Sequence, residues 1–231
     1  MSILIYAESA EGKIKKVAFE LASYAKKVAA SMGTTVTAVT INNSDNSALA
    51  AYGVDKVLNV SNDKLNNFSA KAYADVIAQA AKKEGTQIVL VSSTTDSLYL
   101  APLVAVALEA GYASNVVALP ESTSPFQVKR TAFSNKAFNI TEISTPVKVL
   151  GIAKNSFGLV ENAAAITEES FAPSLNDADF GIKVENVEKV TGTDPNDKND
   201  FLDSDGDKVP DYIEIIEGTD HLNANSFTDI D

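Results

Sequence analysis

Twelve residues near the carboxyl end carry the densest metal-ligating chemistry in the chain: Asp203-Ser204-Asp205-Gly206-Asp207-Lys208-Val209-Pro210-Asp211-Tyr212-Ile213-Glu214. Carboxylates stand at loop positions 1, 3, 5, 9 and 12, and Val209 at position 7 offers its backbone carbonyl. Calcium takes six to eight oxygens in a flexible sphere, and this is the ligand order of an EF-hand loop, closed by a glutamate able to bind through both oxygens. The loop departs from that pattern at position 6, where Lys208 stands in place of glycine. Residues 191–231 hold twelve Asp and Glu against only Lys198 and Lys208, so most of the formal net charge of −12 falls there and the rest is nearly neutral. Free of metal, such a run is a solvated acidic linker; loaded with calcium, it becomes compact. The distribution speaks against nucleic acid and for cations as the partner of the tail.

A second cluster, Thr94, Thr95 and Ser97, follows the apolar run Ile88–Val91 and opens a helical segment. Hydroxyls at that place either cap the helix or line a nucleotide pocket at the end of a strand. The chain has no Gly-x-Gly-x-x-Gly and no Walker-type loop to cradle phosphates. With no cysteine, disulfides, thiolate metal sites and cysteine nucleophiles are excluded. His221 is the sole histidine and has no evident nucleophile beside it, and Glu168-Glu169 reads as a solvated surface pair rather than a hydrolase dyad.

The elements that must position these groups are written in the hydrophobic pattern. Ser2 to Tyr6 is a buried strand, and the polar turn Glu8 to Gly12 leads into a helix with Val17, Leu21, Tyr24, Ala25 and Val28 on one stripe, closed by Gly33. Thr34 to Ile41 is rich in β-branched residues and forms strand two; a helical stretch Ser47 to Tyr52 stops at Gly53; Lys56 to Val60 is strand three. A helix over Ser69 to Glu84 ends at Gly85, the buried strand Ile88 to Val91 follows, and the next helix spans about Leu98 to Ala110 with Pro102 near its start. This alternation predicts a parallel sheet with helices on both faces. Beyond Gly111, Asn115 to Leu119, Phe126 to Phe133, Ala137 to Ile143 and Val147 to Ile152 are expected to add antiparallel edge strands. Ser156 to Val190 is less regular and closes on a strand-like Ile182 to Val190. The opening Met1 to Tyr6 has no basic leader region, and no apolar run reaches the roughly 20 residues of a membrane span, so a cytoplasmic chain without membrane insertion is expected.

Thr86 to Leu103, a buried strand, a Thr-rich turn and a helix opening on Leu100-Ala101-Pro102, resembles the electron transfer flavoprotein alpha subunit. Arg130-Thr131-Ala132-Phe133-Ser134-Asn135-Lys136-Ala137, then Lys148 to Ile152 with Asn155-Ser156-Phe157, and the opening Ser2 to Glu8 extend the resemblance over about residues 1–190. It implies an α/β, doubly wound, mostly parallel sheet of the adenine-nucleotide-hydrolase-like kind over 1–190, and the acidic residues 191–231 are expected to form a separate small calcium-binding unit. It also implies a heterodimer with an electron transfer flavoprotein beta subunit, carrying electrons from acyl-CoA dehydrogenases toward a membrane quinone reductase. In that family FAD is held mainly by a second alpha domain with a Gly-Gly-Arg-Gly turn and a Ser-Arg motif. Neither is found in these 231 residues, so FAD is not expected to be held by this chain alone. The acidic loop, bracketed by Gly-Thr-Asp at Gly192 and Gly218, resembles bacterial thrombospondin type 3 calcium repeats, which implies that Asp194, Asp197 or Asp220 completes a site.

Three functions are compatible with these residues. The first is an electron carrier subunit, rather than a catalyst, that docks on a beta chain. The second is a calcium-dependent structural or adhesion protein with a Rossmann-like passenger domain, against which stands the missing leader. The third, a small adenine-nucleotide binder of the universal-stress type, lacks the glycine phosphate loop of that class. Because the two halves suit different cellular contexts, a natural junction and a fusion near Val190 are both open.

Overall fold

The computed structural model describes residues 2–10 and 12–181. The calcium loop with Asp203, Asp205, Asp207, Val209, Asp211 and Glu214, the accessory Asp194, Asp197 and Asp220, His221, the strand expected at 182–190 and the junction near 190 lie outside the described residues.

Strand β1 (Ser2–Tyr6) is buried along its whole length and sits at the centre of a sheet. Its side chains alternate between the two faces, as a strand's must. Ile3 and Ile5 join one core with Leu21, Tyr24 and Val28 of helix α1 (Lys16–Met32). Leu4 and Tyr6 join a second core with Ile77 of α2 (Ala70–Glu84) and with Leu100 and Val104 of α3 (Thr95–Ala107). The small ribbon β2 (Ser9–Ala10) and β3 (Lys13–Ile14) lies in the turn between β1 and α1. On one side β1 pairs in parallel with β4 (Thr35–Ile41), which pairs with β5 (Lys56–Val60). On its other side lies β6 (Ile88–Ser92), again parallel, with Ile3 opposite Ile88. Gly33 and Gly85, at φ 63° and 60°, take the left-handed turn that ends α1 and α2, a conformation costly for residues with a Cβ.

Helix α3 differs from the expected Leu98 to Ala110. Thr94 is its N-cap, with its hydroxyl accepting the Ser97 amide at 3.2 Å, so the first turn lies three residues earlier. Pro102 is therefore in the helix interior, where it withdraws the amide partner of the Leu98 carbonyl. Leu98 is exposed, so solvent can satisfy that oxygen.

The strands after α3 also depart from a simple antiparallel edge. β7 (Gly111–Val116) begins earlier than Asn115 and runs parallel to β11 (Lys148–Ile152), which inserts between β7 and β6, parallel to both. Val149, Leu150 and Ile152 are buried, as suits a central strand covered on both faces, not an edge. The register slips between Leu150 and Ile152 opposite Asn115, whose φ of 54° is a left-handed geometry that asparagine tolerates, as in a bulge. The antiparallel strands are β8 (Ser122–Thr123), β9 (Phe126–Ala132) and β10 (Ala137–Glu142), with Ala137 opposite Ala132 across a turn at Phe133–Asn135. The order is β10-β9-β7-β11-β6-β1-β4-β5-β12, where β12 (Thr167–Ser170) is a parallel edge strand. Within the stretch expected to be irregular, only these four residues form a strand, whose acidic side chains suit an exposed edge, and residues 156–166 and 171–176 are irregular as expected. No helix of the described residues is long and apolar enough to cross a membrane.

Candidate functional site

The chain leaves β1 for a helix on one face, and leaves its neighbour β6 for α3 on the other. A crevice opens at such a switch point, outside the carboxyl ends of the strands. An open cleft of about 310 Å³ lies there. Glu8 comes from the end of β1, Lys15 and Lys16 from the start of α1, Thr94 to Asp96 from the start of α3, and Lys154 from the segment after β11.

Of the hydroxyl residues singled out in the sequence, Thr94 and Thr95 line this cleft and Ser97 does not. Thr94 and Ser97 are buried and spent on each other, with their hydroxyls 3.1 Å apart, so the capping role is realised. No spacing in the sequence marks Glu8, Lys15, Lys16 or Lys154. Glu8 does stand two residues past a buried strand, the one local signal for such a position. Its side chain is 4% exposed, and Oε1 meets Lys15 Nζ at 2.5 Å. Beneath it, burial, with Tyr73, Glu8 and Asp96 nearby, pushes the Tyr6 phenol well above its ordinary value and keeps it protonated.

Beside the cleft, a carboxylate is used as a clamp. Glu20 of α1 accepts the amides of Asn155, Phe157 and Gly158, each at 2.9 Å. Burial pushes its carboxyl upward, but the N–H donors of Gly158, Phe157 and Asn155 outweigh that and hold it below the usual carboxylate range. Ser23 accepts the Val160 amide at 3.0 Å and the Tyr24 ring meets Phe157 edge-on, so the segment after β11 is tied to α1 and Lys154 with it. The Asn155-Ser156-Phe157 string is the core of that clamped turn.

The described residues do not fit a flavin. Its pyrophosphate needs backbone amides brought close by glycine turns, whereas this cleft is lined by lysine, threonine and carboxylate side chains. No electron-transfer step is therefore assigned to them.

A second feature is an apolar surface. Between Thr95 and Ala107 the only charged residue of α3 is Asp96, so the helix is apolar on both its faces. Leu100, Ala101 and Val104 face the core, while Leu98, Tyr99, Leu103 and Val106 are exposed, Tyr99 by 67% and Val106 by 77%. A helix hydrophobic all round is one that is covered on all sides. Toward the same end of the sheet, the β9–β10 hairpin exposes Phe133, Phe138 and Ile140.

Glu168 and Glu169, expected as merely solvated, are engaged. Glu169 bonds Lys56 at 2.7 Å and Lys83 at 2.9 Å, which hold its carboxyl down at about 2. Glu168 accepts from Asn46 at 3.1 Å and Asn59 at 2.8 Å. These bonds fix the edge strand β12 on its neighbours. Among the described residues no group of three or more His, Cys, Asp or Glu is placed to hold a metal.

Residues 3–175 match the model of the electron transfer flavoprotein domain family. The electron transfer flavoprotein subunit alpha of Thermoanaerobacterium thermosaccharolyticum is 34% identical over 120 residues, which is 51% of this chain and 36% of that protein. That of Clostridium acetobutylicum is 29% identical over 120 residues, with the same shares of 51% and 36%. The lactate dehydrogenase (NAD(+),ferredoxin) subunit LctC of Acetobacterium woodii is 31% identical over 151 residues, 62% of this chain and 36% of that protein. The chain thus spans about a third of the length of these curated relatives.

Proposed function

This chain belongs to the electron transfer flavoprotein domain family, and from that premise we propose that residues 1–190 act as the beta-subunit-docking domain of an alpha-type electron transfer chain. The observation that carries the reading is the outer face of α3, where Leu98, Tyr99, Leu103 and Val106 form an exposed apolar stripe on a helix that also packs the core. Contiguous apolar surface of this kind on a folded domain marks an interface. The relatives' description as alpha subunits supports a beta chain as the occupant. FAD then belongs to the assembled protein and is held mainly outside the described residues, and the electrons come from acyl-CoA dehydrogenases. Size-exclusion of the 231-residue chain mixed with a beta-type chain from the same source tests this. A stoichiometric complex is expected; two species that elute separately at micromolar concentration would count against the reading.

For residues 191–231 the proposal rests on the sequence: Asp203, Asp205, Asp207, Asp211, Glu214 and the Val209 carbonyl hold calcium, one of Asp194, Asp197 or Asp220 completing the sphere. Calcium addition is expected to protect the tail from protease, with EDTA reversing the effect and Glu214→Gln abolishing it. Cleavage at the same rate with and without calcium would contradict the assignment.

A further inference from the structure

The chain has a single arginine, Arg130, against eighteen lysines among its 19 basic residues. It belongs to β9 and stands opposite Val116, near the carboxyl end of β7. Its guanidinium lies beside Ser114 and Tyr112 of β7, and Tyr112 packs against the core that α3 covers. The partners it finds there are poor. Nη2 meets the Ser114 hydroxyl at a long 3.4 Å, Nε is buried without an acceptor, and the group has no ion-pair partner among the described residues. Burial pushes the Tyr112 phenol upward against the pull of Arg130 and Ser114, so Tyr112 stays neutral and offers no countercharge. A desolvated guanidinium without a carboxylate is costly to keep. A lysine, the chain's choice at every other basic position, would hold its compact charge in water.

On the docking role already given to α3, we propose that Arg130 is the seat of a carboxylate supplied by the beta-type chain. Nε is walled in, so an acceptor arrives at the outer end of the fork, where Nη1 is neither bonded nor buried among the described residues. A free small anion needs an enclosing pocket, and Arg130 lines neither of the clefts of about 310 and 320 Å³ at the start of α1. An aspartate or glutamate carried on a folded partner brings its own cover. The apolar surroundings are in place, because exposed Leu98 and Tyr99 occupy the first turns of α3, which starts from the end of the sheet toward which Ser114 lies. Arginine beside aromatic and aliphatic anchors is the composition of an interface centre, and its planar fork fixes the orientation of the carboxylate it meets.

The test is titration of the 231-residue chain and its variants with the beta-type chain from the same source, beside thermal unfolding of each free chain. Arg130→Met should weaken the complex about a hundredfold or more, because it strands the partner's desolvated carboxylate. The same variant, free, should unfold no earlier than the parent, since an unpaired charge has been removed. An arginine that only supports the fold would lower both. Arg130→Lys keeps the charge without the fork and should bind about tenfold more weakly than the parent. Carbodiimide should then link position 130 of that variant to one aspartate or glutamate of the beta-type chain, located by mass spectrometry of the peptides. A parent that forms no complex overturns the docking role and this pairing together. A parent that binds while Arg130→Met binds equally well, or a complex with no link through position 130, overturns the pairing alone. Inorganic phosphate that stabilises the free parent but not Arg130→Met would overturn it in favour of a free anion.

Discussion

The paired substitution Tyr99→Asp and Val106→Lys is expected to abolish complex formation with a beta-type chain and to leave the isolated domain folded. Both side chains are more than two-thirds exposed, or close to it, at 67% and 77%, so neither supports the core. Exposed substitutions of this kind change stability by about 0.5 kcal/mol or less, and a lysine in the last turn of α3 suits the helix dipole. The interface would respond quite differently. A tyrosine anchor at the centre of an interface is worth about 2 kcal/mol or more, and a buried, unpaired charge left in its place costs about as much again. Two such positions lower affinity by roughly a thousandfold or more. Choosing opposite signs prevents a partner of either charge from compensating both. Titration of the variant against the beta chain, with thermal unfolding as the control, checks this; an unchanged Kd contradicts it.

Glu20→Ala is expected to be the most destabilising single change near the cleft. Its carboxylate answers three amides of the segment after β11, and Glu20 is itself buried. Hydrogen bonds to a charged group contribute about 1.5–3 kcal/mol each and are not additive, so a loss of roughly 3–5 kcal/mol in urea unfolding is expected. Glu20→Gln keeps one acceptor oxygen and should lose about half as much. The pH dependence has a definite sign. The folded carboxyl is held below its ordinary value, because the N–H donors outweigh burial. The stabilisation is therefore present above the unfolded value and is lost as pH falls through the lowered folded value. The gap between parent and Glu20→Ala should narrow in acid, and the amides of Asn155, Phe157 and Gly158 should exchange faster in the variant at neutral pH. A gap that stays constant into acid would show that the clamp is not ionised.

Much of this architecture is local and was legible. The stripes that end at Gly33 and Gly85 define α1 and α2, and the buried runs at Ser2 to Tyr6 and Ile88 to Val91 mark the two strands that flank the switch point. What spacing could not supply is pairing between distant segments. Val147 to Ile152 looks the same in sequence whether it caps an edge or fills the gap between β6 and β7. Only the burial of both faces by elements far along the chain decides it. The cleft suffers from the same limit: Glu8, Asp96 and Lys154 are brought together by three strand ends, and no motif links them. Thr94 was visible because capping is itself local, whereas Glu20 looks like any acidic residue in a helix until the segment after β11 folds onto it. Val106 and Tyr99 were hidden for the converse reason. Apolar residues on a helix read as core until the sheet claims only one face of it.

Hydrogen exchange on the complex with a beta-type chain is the most direct measurement of the docking claim. Amides from Leu98 to Val106 and in the Phe133 to Ile140 hairpin should slow on binding, with α2 unchanged. Protection confined to α2 or to the β12 edge, with α3 exchanging as in the free chain, would contradict the account.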